Sequence, residues 1–399
     1  MSIFRCRKVV AQEQRKPMIQ NRKPTRTVDT VIVGGGIAGV SLAFYLSSLG
    51  LSDIILLEGN DLASGCTGGS MGGVRQQFST PVEIEIAVRG RRFWQTFEHV
   101  FDYPCPYYQD GYLLLTGRED IYAKLCEATA MQHQLGATSA QMLGADDLRA
   151  VAPWLSPNGL LGGCWTPEDG RANPTDGVYG LAAAARRNGV TIKTHSQVES
   201  IERGLDGWVV QAGEPVVARR VVVAAGLGTP FLMRHFGLDL DIRPWLIHSA
   251  LTTPVASGQE MPVTIDLDSG LIIEREQDAA VISILNAELG DRYSVNDMLE
   301  EFADIVSVRA PVFGDVSIRN TYSAYADLTG DGHPYIGQVE PDLWVMAGFD
   351  GHGTMQGPPI AELTARLIAG APDPTIGIEA FDPRRTITTS TEWMSANRK

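Results

Sequence analysis

The stretch Asp29-Thr30-Val31-Ile32-Val33-Gly34-Gly35-Gly36-Ile37-Ala38-Gly39 decides the fold. Its first half is a short β-branched apolar run, as a strand buried on both faces requires. Its second half is a glycine turn of the form G-x-G-x-x-G. An apolar helical stretch from Val40 to Leu49 follows, closed by Gly50. A second apolar strand, Asp53 to Leu57, ends in Glu58. Strand, glycine turn, helix, strand and acid stand in the order of a dinucleotide-binding βαβ unit. Gly34 permits the tight turn, Gly36 lets the backbone approach a pyrophosphate, and Gly39 lets helix and strand pack closely. The helix start at Ile37 and Ala38 offers N–H groups and a partial positive charge to phosphate. Glu58, followed by Gly59, stands 22 residues after Gly36, where its carboxylate can accept both hydrogens of a ribose diol.

Nicotinamide and flavin dinucleotides share this fingerprint, so the rest of the chain must separate them. Residues 63–78 read Ala-Ser-Gly-Cys-Thr-Gly-Gly-Ser-Met-Gly-Gly-Val-Arg-Gln-Gln-Phe. So many small residues cannot build a packed element. They form either a surface linker or a backbone laid along a flat, extended ligand, with Ser64, Thr67, Gly72, Gly73 and Val74 as contacts. The position directly after the ribose acid favours the ligand.

At this point the chain resembles the D-amino-acid oxidase superfamily of FAD oxidoreductases. Within it, the branch of sarcosine oxidases, glycine oxidases and proline dehydrogenase β subunits is the nearest, and Gly72 to Phe78 is most like the last of these. Further similarity runs from about residue 29 to 382. Trp165 to Gly170, followed by Asn173-Pro174, is similar to the family's entry to a helix. Val198 lies in a strand-like stretch, Ser196 to Ile201, where the family holds adenine. Val221 to Gly226, with Ala225 and Gly226 at its end, resembles the second dinucleotide strand. Thr329 to Gly337 resembles T-P-D-x-x-P-x-I-G. After it come a strand, Leu343 to Ala347, a loop, Gly348 to Met355, and a helix through Ile368. Gly353, Thr354 and Met355 open that helix, with Pro358 and Pro359 expected in its first turn. In the family this helix start faces the flavin's N1–C2=O side, where reduction places negative charge.

The resemblance implies an α/β fold: a discontinuous Rossmann-like FAD domain interleaved with an α+β substrate domain on a mostly antiparallel sheet. The expected boundaries are 28–105, 155–230 and 326–385 for the FAD domain and 106–154 and 231–325 for the substrate domain. A basic extension occupies 1–27 and a tail 386–399. Substrate-domain strands are expected over Tyr107 to Thr116, Leu240 to Thr253 and Gly270 to Leu285. The implied chemistry is hydride transfer from the carbon beside an amine nitrogen to flavin N5, giving an imine that hydrolyses. O2 or an electron carrier would then reoxidise the flavin.

Departures from the family bear on the substrate. The cysteine that carries covalent flavin in this branch falls on Ala324, so FAD is expected to be noncovalent, with Cys66 a poor alternative. Two positions that grip a substrate carboxylate in sarcosine-type enzymes hold Phe78 and Met355, both apolar. A tyrosine and an arginine two apart in the family's substrate sheet match Ile272 and Glu274. Glu274 is then either a contact for a cationic amine or an exposed strand residue paired with Arg275. Tyr322 is a further candidate for the pocket. Arg75 is either a catalytic or carboxylate-holding cation or a brace for the glycine loop. His352 is either a base or a loop-packing histidine.

Composition narrows the rest. Hydrophobic residues make up 44% and charged residues 20%, which excludes a mainly disordered chain. The net charge of −14 divides into +7 on residues 1–27 and −21 on the remainder. The acidic body argues against nucleic acid and anionic membranes as partners, and no apolar run reaches the ~20 residues of a membrane span. The basic arm is read as a solvated extension without a secretory signal, a docking tail being the alternative. Five cysteines lack metal or dithiol spacing, so no metal site is expected and a reducing cytoplasm is the expected location. The expected partner is a small amine or amino acid, and an oligomer is compatible with the sequence. Beside the amine oxidoreductase stand two other readings: a flavin-binding subunit without its own turnover, and a flavin monooxygenase.

Overall fold

In a computed structural model of the chain, residues 26–255, 261–285 and 294–387 are described. Most of the basic extension and of the C-terminal tail lie outside them. Two sheets organise the molecule. The first has a parallel core, in which Arg26–Val33 pairs with Ile54–Leu57 on one side and Val216–Val223 on the other. Thr191–Lys193 and Leu343–Ala347 extend it outward in parallel. Alternation along these strands explains their unbroken apolar runs. Ile32, Ile54 and Leu56 face the layer of helices, whereas Val31, Val33, Ile55 and Leu57 face a second core with Trp208. The strands come from three separated parts of the chain, as an interleaved architecture demands.

The second sheet has eight strands and is antiparallel except where Val263–Asp266 runs parallel to Tyr112–Thr116. The stretch expected as one strand over Gly270 to Leu285 is a hairpin, Leu271–Glu276 and Ala279–Ile284, turned at Gln277 with φ 55°. Gly162–Thr166, which the expected boundary at 155 gives to the FAD domain, pairs with Tyr112–Thr116 in this second sheet instead. Val198 does not lie in a strand: the strand begins at Ser200. The preceding segment is drawn over the end of Leu57-Glu58 because Ser196 N–H donates to the Glu58 carbonyl at 2.7 Å.

Two glycines show why the first turn must be as it is. Gly34 has φ 115°, and a Cβ there would lie 2.2 Å from the Ala224 carbonyl oxygen; at Gly39 it would lie 2.1 Å from the Gly34 oxygen. Any side chain at either position would push the helix Ile37–Ser48 off its strand.

The C-terminal helix corrects one expectation. It starts at Gly353, so Pro358 and Pro359 sit inside it rather than in its first turn. Pro358 has no N–H for the Thr354 carbonyl. That carbonyl is satisfied by Trp94, whose indole Nε1–H donates to it at 2.9 Å. The partner comes from the helix Pro81–Phe101, which no local rule about helix starts can foresee. Trp94→Phe should therefore cost about 1–3 kcal/mol by orphaning a buried carbonyl. In a Pro358→Ala background, where the helix regains its own donor, the cost should fall; denaturant midpoints of the four proteins measure this. An equal cost in both backgrounds would show that the indole bond is unimportant.

Candidate active site

A cavity of about 880 Å³ runs from the first glycine turn to the face of the second sheet. At one end lie Gly34, Gly36, Ile37 and Ala38, with Glu58 and Gly59 beside them. The Glu58 carboxylate accepts from Gly35 N–H at 2.6 Å and from Asn60 N–H at 2.8 Å, which fixes its position at the strand end. Ser64, Thr67, Gly72 and Gly73 line the next part. Thr67 Oγ1 accepts from Ile37 N–H at 3.1 Å, tying the small-residue loop to the start of the glycine helix. Ser70 Oγ lies 3.0 Å from Thr354 Oγ1, tying the same loop to the C-terminal helix. Val198, Ala225 and Gly226 wall the cavity opposite, and Gly353, Thr354 and Met355 close one side.

Some expected contacts are elsewhere. Gly39 does not line the cavity; its role is the close helix packing already described. Val74 is fully buried and pairs with Gly170 across a short two-stranded ladder. Phe78 is also fully buried, under the cavity rather than in it. Its ring carries the Arg75 guanidinium 4.1 Å from its centroid and meets the His352 ring edge-on at 5.1 Å. Tyr322 is 37% exposed and outside the lining; its hydroxyl is hydrogen-bonded with Ser249, which does line the cavity.

Arg75 and His352 come together from residues 277 apart, with Nη2 and Nε2 at 3.0 Å. Arg75 is 1% exposed and also donates to the Gln77 carbonyl. A guanidinium has no lone pair, so His352 Nε2 must be the acceptor and its ring proton resides on Nδ1. In this arrangement neither ring nitrogen is available as a base. Among the described residues no carboxylate forms an ion pair with Arg75, so a permanent positive charge faces the cavity from its floor.

Four buried acids that the sequence did not mark as site residues shape the surroundings. Desolvation pushes Asp169 up to about 7 although Gln76 donates to it through both its backbone and its side chain. It pushes Glu83 up to about 7 against the bond from Thr80. Asp327 rises to about 6, again by desolvation, and accepts from Phe349 N–H, while Asp350 accepts from Thr329 N–H. The last two clamp the loop that leads to His352. Tyr112, Trp245 and Ser249 also line the cavity and had no sequence signal beyond lying in strands.

Glu274 is 3% exposed and lines the cavity, which overturns its reading as an exposed partner of Arg275. Burial pushes its carboxyl up to about 8 from an ordinary 4.5. A carboxyl whose folded pKa is raised favours folding below the unfolded value and loses that contribution as pH climbs towards the folded one. Glu274→Gln should therefore match wild type in stability near pH 4.5 and exceed it increasingly up to about pH 8, levelling off above. Thermal melts across that range test this, and a difference that does not change with pH would refute it.

The comparisons with known proteins agree with this geometry. A family model described as FAD dependent oxidoreductase (DAO) matches residues 29–367. Human mitochondrial dimethylglycine dehydrogenase is 24% identical over 94% of this chain and 46% of that protein. The 4-methylaminobutanoate oxidase (formaldehyde-forming) of Paenarthrobacter nicotinovorans is 27% identical over 86% of this chain and 44% of that protein. The chain thus spans about half the length of these curated relatives. Among solved structures, L-proline dehydrogenase from P. horikoshii superposes with a TM-score of 0.82 at 23% identity, covering 90% of this chain and 98% of that one. Glycine oxidase from Geobacillus kaustophilus gives 0.79 at 21% identity, covering 91% and 100%.

Proposed function

The chain belongs to the DAO family of FAD-dependent oxidoreductases, and from that premise we propose that it binds FAD noncovalently and oxidises the C–N bond of an amine or an amino or imino acid. The observation that carries this reading is one continuous cavity joining the glycine turn and Glu58 to a chamber walled by the second sheet. The residues present suit the dinucleotide. Gly36 would meet only Thr67 Oγ1, at 3.1 Å, if it bore a Cβ, so the helix start is open to phosphate. Glu58 would hold the ribose, and the N-terminus of Gly353–Ile368 would face the ring system. FAD supplies the two-electron acceptor for a C–H bond beside nitrogen.

The chain's own residues do the rest. Arg75 supplies a fixed positive charge that favours negative charge building up nearby, whether on the cofactor or on a substrate carboxylate. His352, its Nε2 occupied by Arg75, orients rather than removes protons. The apolar wall formed by Ile265, Ile272 and Trp245 excludes water and presses the substrate into a reactive pose. Cys66 lines the cavity, but burial pushes its thiol up to about 12, so it stays protonated and unreactive. That supports noncovalent attachment. The dimethylglycine dehydrogenase and the 4-methylaminobutanoate oxidase named above carry methylated amines in their names, which makes secondary and tertiary amines the first substrates to try.

Among the described residues no helix is long and apolar enough to cross a membrane. Cys66, Cys105, Cys126 and Cys164 are all free, which supports a reducing compartment such as the cytoplasm.

The purified chain should be yellow, and acid precipitation should release all of its flavin into the supernatant; flavin left in the pellet would refute noncovalent binding. Glu58→Leu should weaken FAD affinity by at least about tenfold, about 1.4 kcal/mol, measured by fluorescence titration of the apoprotein. Anaerobic addition of amines should bleach the flavin. A flavoprotein bleached by none of a panel of secondary amines, imino acids, D-amino acids and polyamines would pass to the subunit reading.

A further inference from the structure

One polar group in the cavity is unaccounted for by FAD binding. Glu274 is 97% buried, reckoned from its 3% exposure, and its Oε2 has no hydrogen-bond partner among the described residues. It stands on the strand Leu271–Glu276, where Ile272, two residues back on the same face, also lines the cavity. Val281 lies opposite it on the neighbouring strand. A buried carboxylate oxygen without a hydrogen-bond partner is costly unless a ligand supplies one.

The surrounding charges do not supply it. Among the described residues the cation acting on Glu274 is Arg171, which is engaged with Asp110 at 2.9 Å and stacked over Tyr108. Glu276 and Asp110 both add negative charge behind it. Tyr112 and Tyr322, the other titratable groups within reach, are held as neutral hydroxyls by burial. Tyr112 feels both Arg75 and Glu274, so the fixed cation and this acid both act on one ring that lines the cavity.

The reacting nitrogen is a poor partner for that acid. An amine gives up hydride from its adjacent carbon only when its own lone pair is free, and a carboxylate beside it would hold it as the ammonium. The partner must be another part of the substrate. We propose that Glu274 is the specificity-determining contact for a second, positively charged group of the substrate, so that the enzyme acts on secondary amines bearing a distal ammonium or guanidinium. The inference rests on the amine-oxidation reading and adds the substrate class to it. Because burial pushes this carboxyl up to about 8, capture of a cation expels a proton, and affinity rises with pH up to about that value.

Two isosteric probes test this on the FAD-loaded full chain: N-methyl-1,4-diaminobutane and N-methylpentylamine, which differ only in a terminal ammonium against a methyl group. Calorimetry should give about 100-fold tighter binding of the diamine, with proton release revealed by changing the buffer, as expected of a buried charge pair. In Glu274→Gln the preference should shrink to within about threefold, and in Glu274→Leu it should reverse, with flavin content unchanged in both. Equal or undetectable binding of the two probes, or a preference that survives in both variants, overturns the proposal. Flavin bleaching separates this from the underlying reading. A monoamine that bleaches as well as the diamine sinks the Glu274 contact and leaves amine oxidation standing. A binding preference without bleaching by either probe supports the contact and sinks the oxidation.

Discussion

The site depends on one close approach. The helix Ile37–Ser48 lies so near its strand that a Cβ at Gly39 would come within 2.1 Å of the Gly34 oxygen. This brings the helix start to the cavity edge rather than one side-chain layer above it. The helix Gly353–Ile368 then lies across it: Gly357 approaches Ile37 and Ala38 so closely that an added Cβ would sit 3.4 Å from the Ile37 side chain. Two helix N-termini thereby face the same cavity, and their dipoles act in concert on whatever anion it holds. The helix Pro81–Phe101 locks the second of them in place. Gly90 passes where a Cβ would lie 2.0 Å from the Met355 carbonyl, and Trp94 caps the Thr354 carbonyl that Pro358 leaves unpaired.

Much of this frame is legible in the sequence because it is written in local grammar. The glycine turn, the β-branched runs and Glu58 each obey a spacing rule set by backbone geometry, and all of them fall in one βαβ unit. What failed depended on long-range partners. Pro358 and Pro359 read as first-turn residues because proline is normally tolerated only there; an indole from another helix makes the second turn tolerable. Phe78 falls under the cavity because Arg75 uses its ring as a platform, a contact between side chains that spacing does not encode. Tyr322 sits on an exposed edge strand, and its partial exposure follows from sheet order, which the sequence leaves open. Glu274 was ambiguous for the same reason. Which face of the hairpin meets the cavity decides its surroundings, and a one-residue change of register would have turned it from the cavity towards the apolar core that holds Ile273.

The cavity's polar groups divide by task. Those that hold structure are bonded to backbone N–H groups: Asp327 and Asp350 clamp the loop before His352, and Asp169 fixes Gln76 and so the start of the buried segment holding Phe78. Those that face the open chamber are not. Arg75 brings positive charge without a contacting carboxylate, and Glu274 brings a carboxyl with an unused oxygen. Stability alone would remove both, since burying either costs free energy. Their persistence in a chamber of this size is the physical mark of a site that completes its bonding only with a ligand.

In the proposed arrangement one cavity holds both the cofactor and a substrate, with the ring system lying between the Arg75–His352 pair and the sheet face that bears Ile272 and Glu274. An X-ray structure of the chain loaded with FAD tests it most directly. The expected result is ribose density against Glu58, pyrophosphate at the start of the helix Ile37–Ser48, the ring edge at the start of Gly353–Ile368, and the ring ending in open space in view of Glu274. A ring that fills that space and walls Glu274 off, or a dinucleotide bound away from the Gly34 turn, would contradict it.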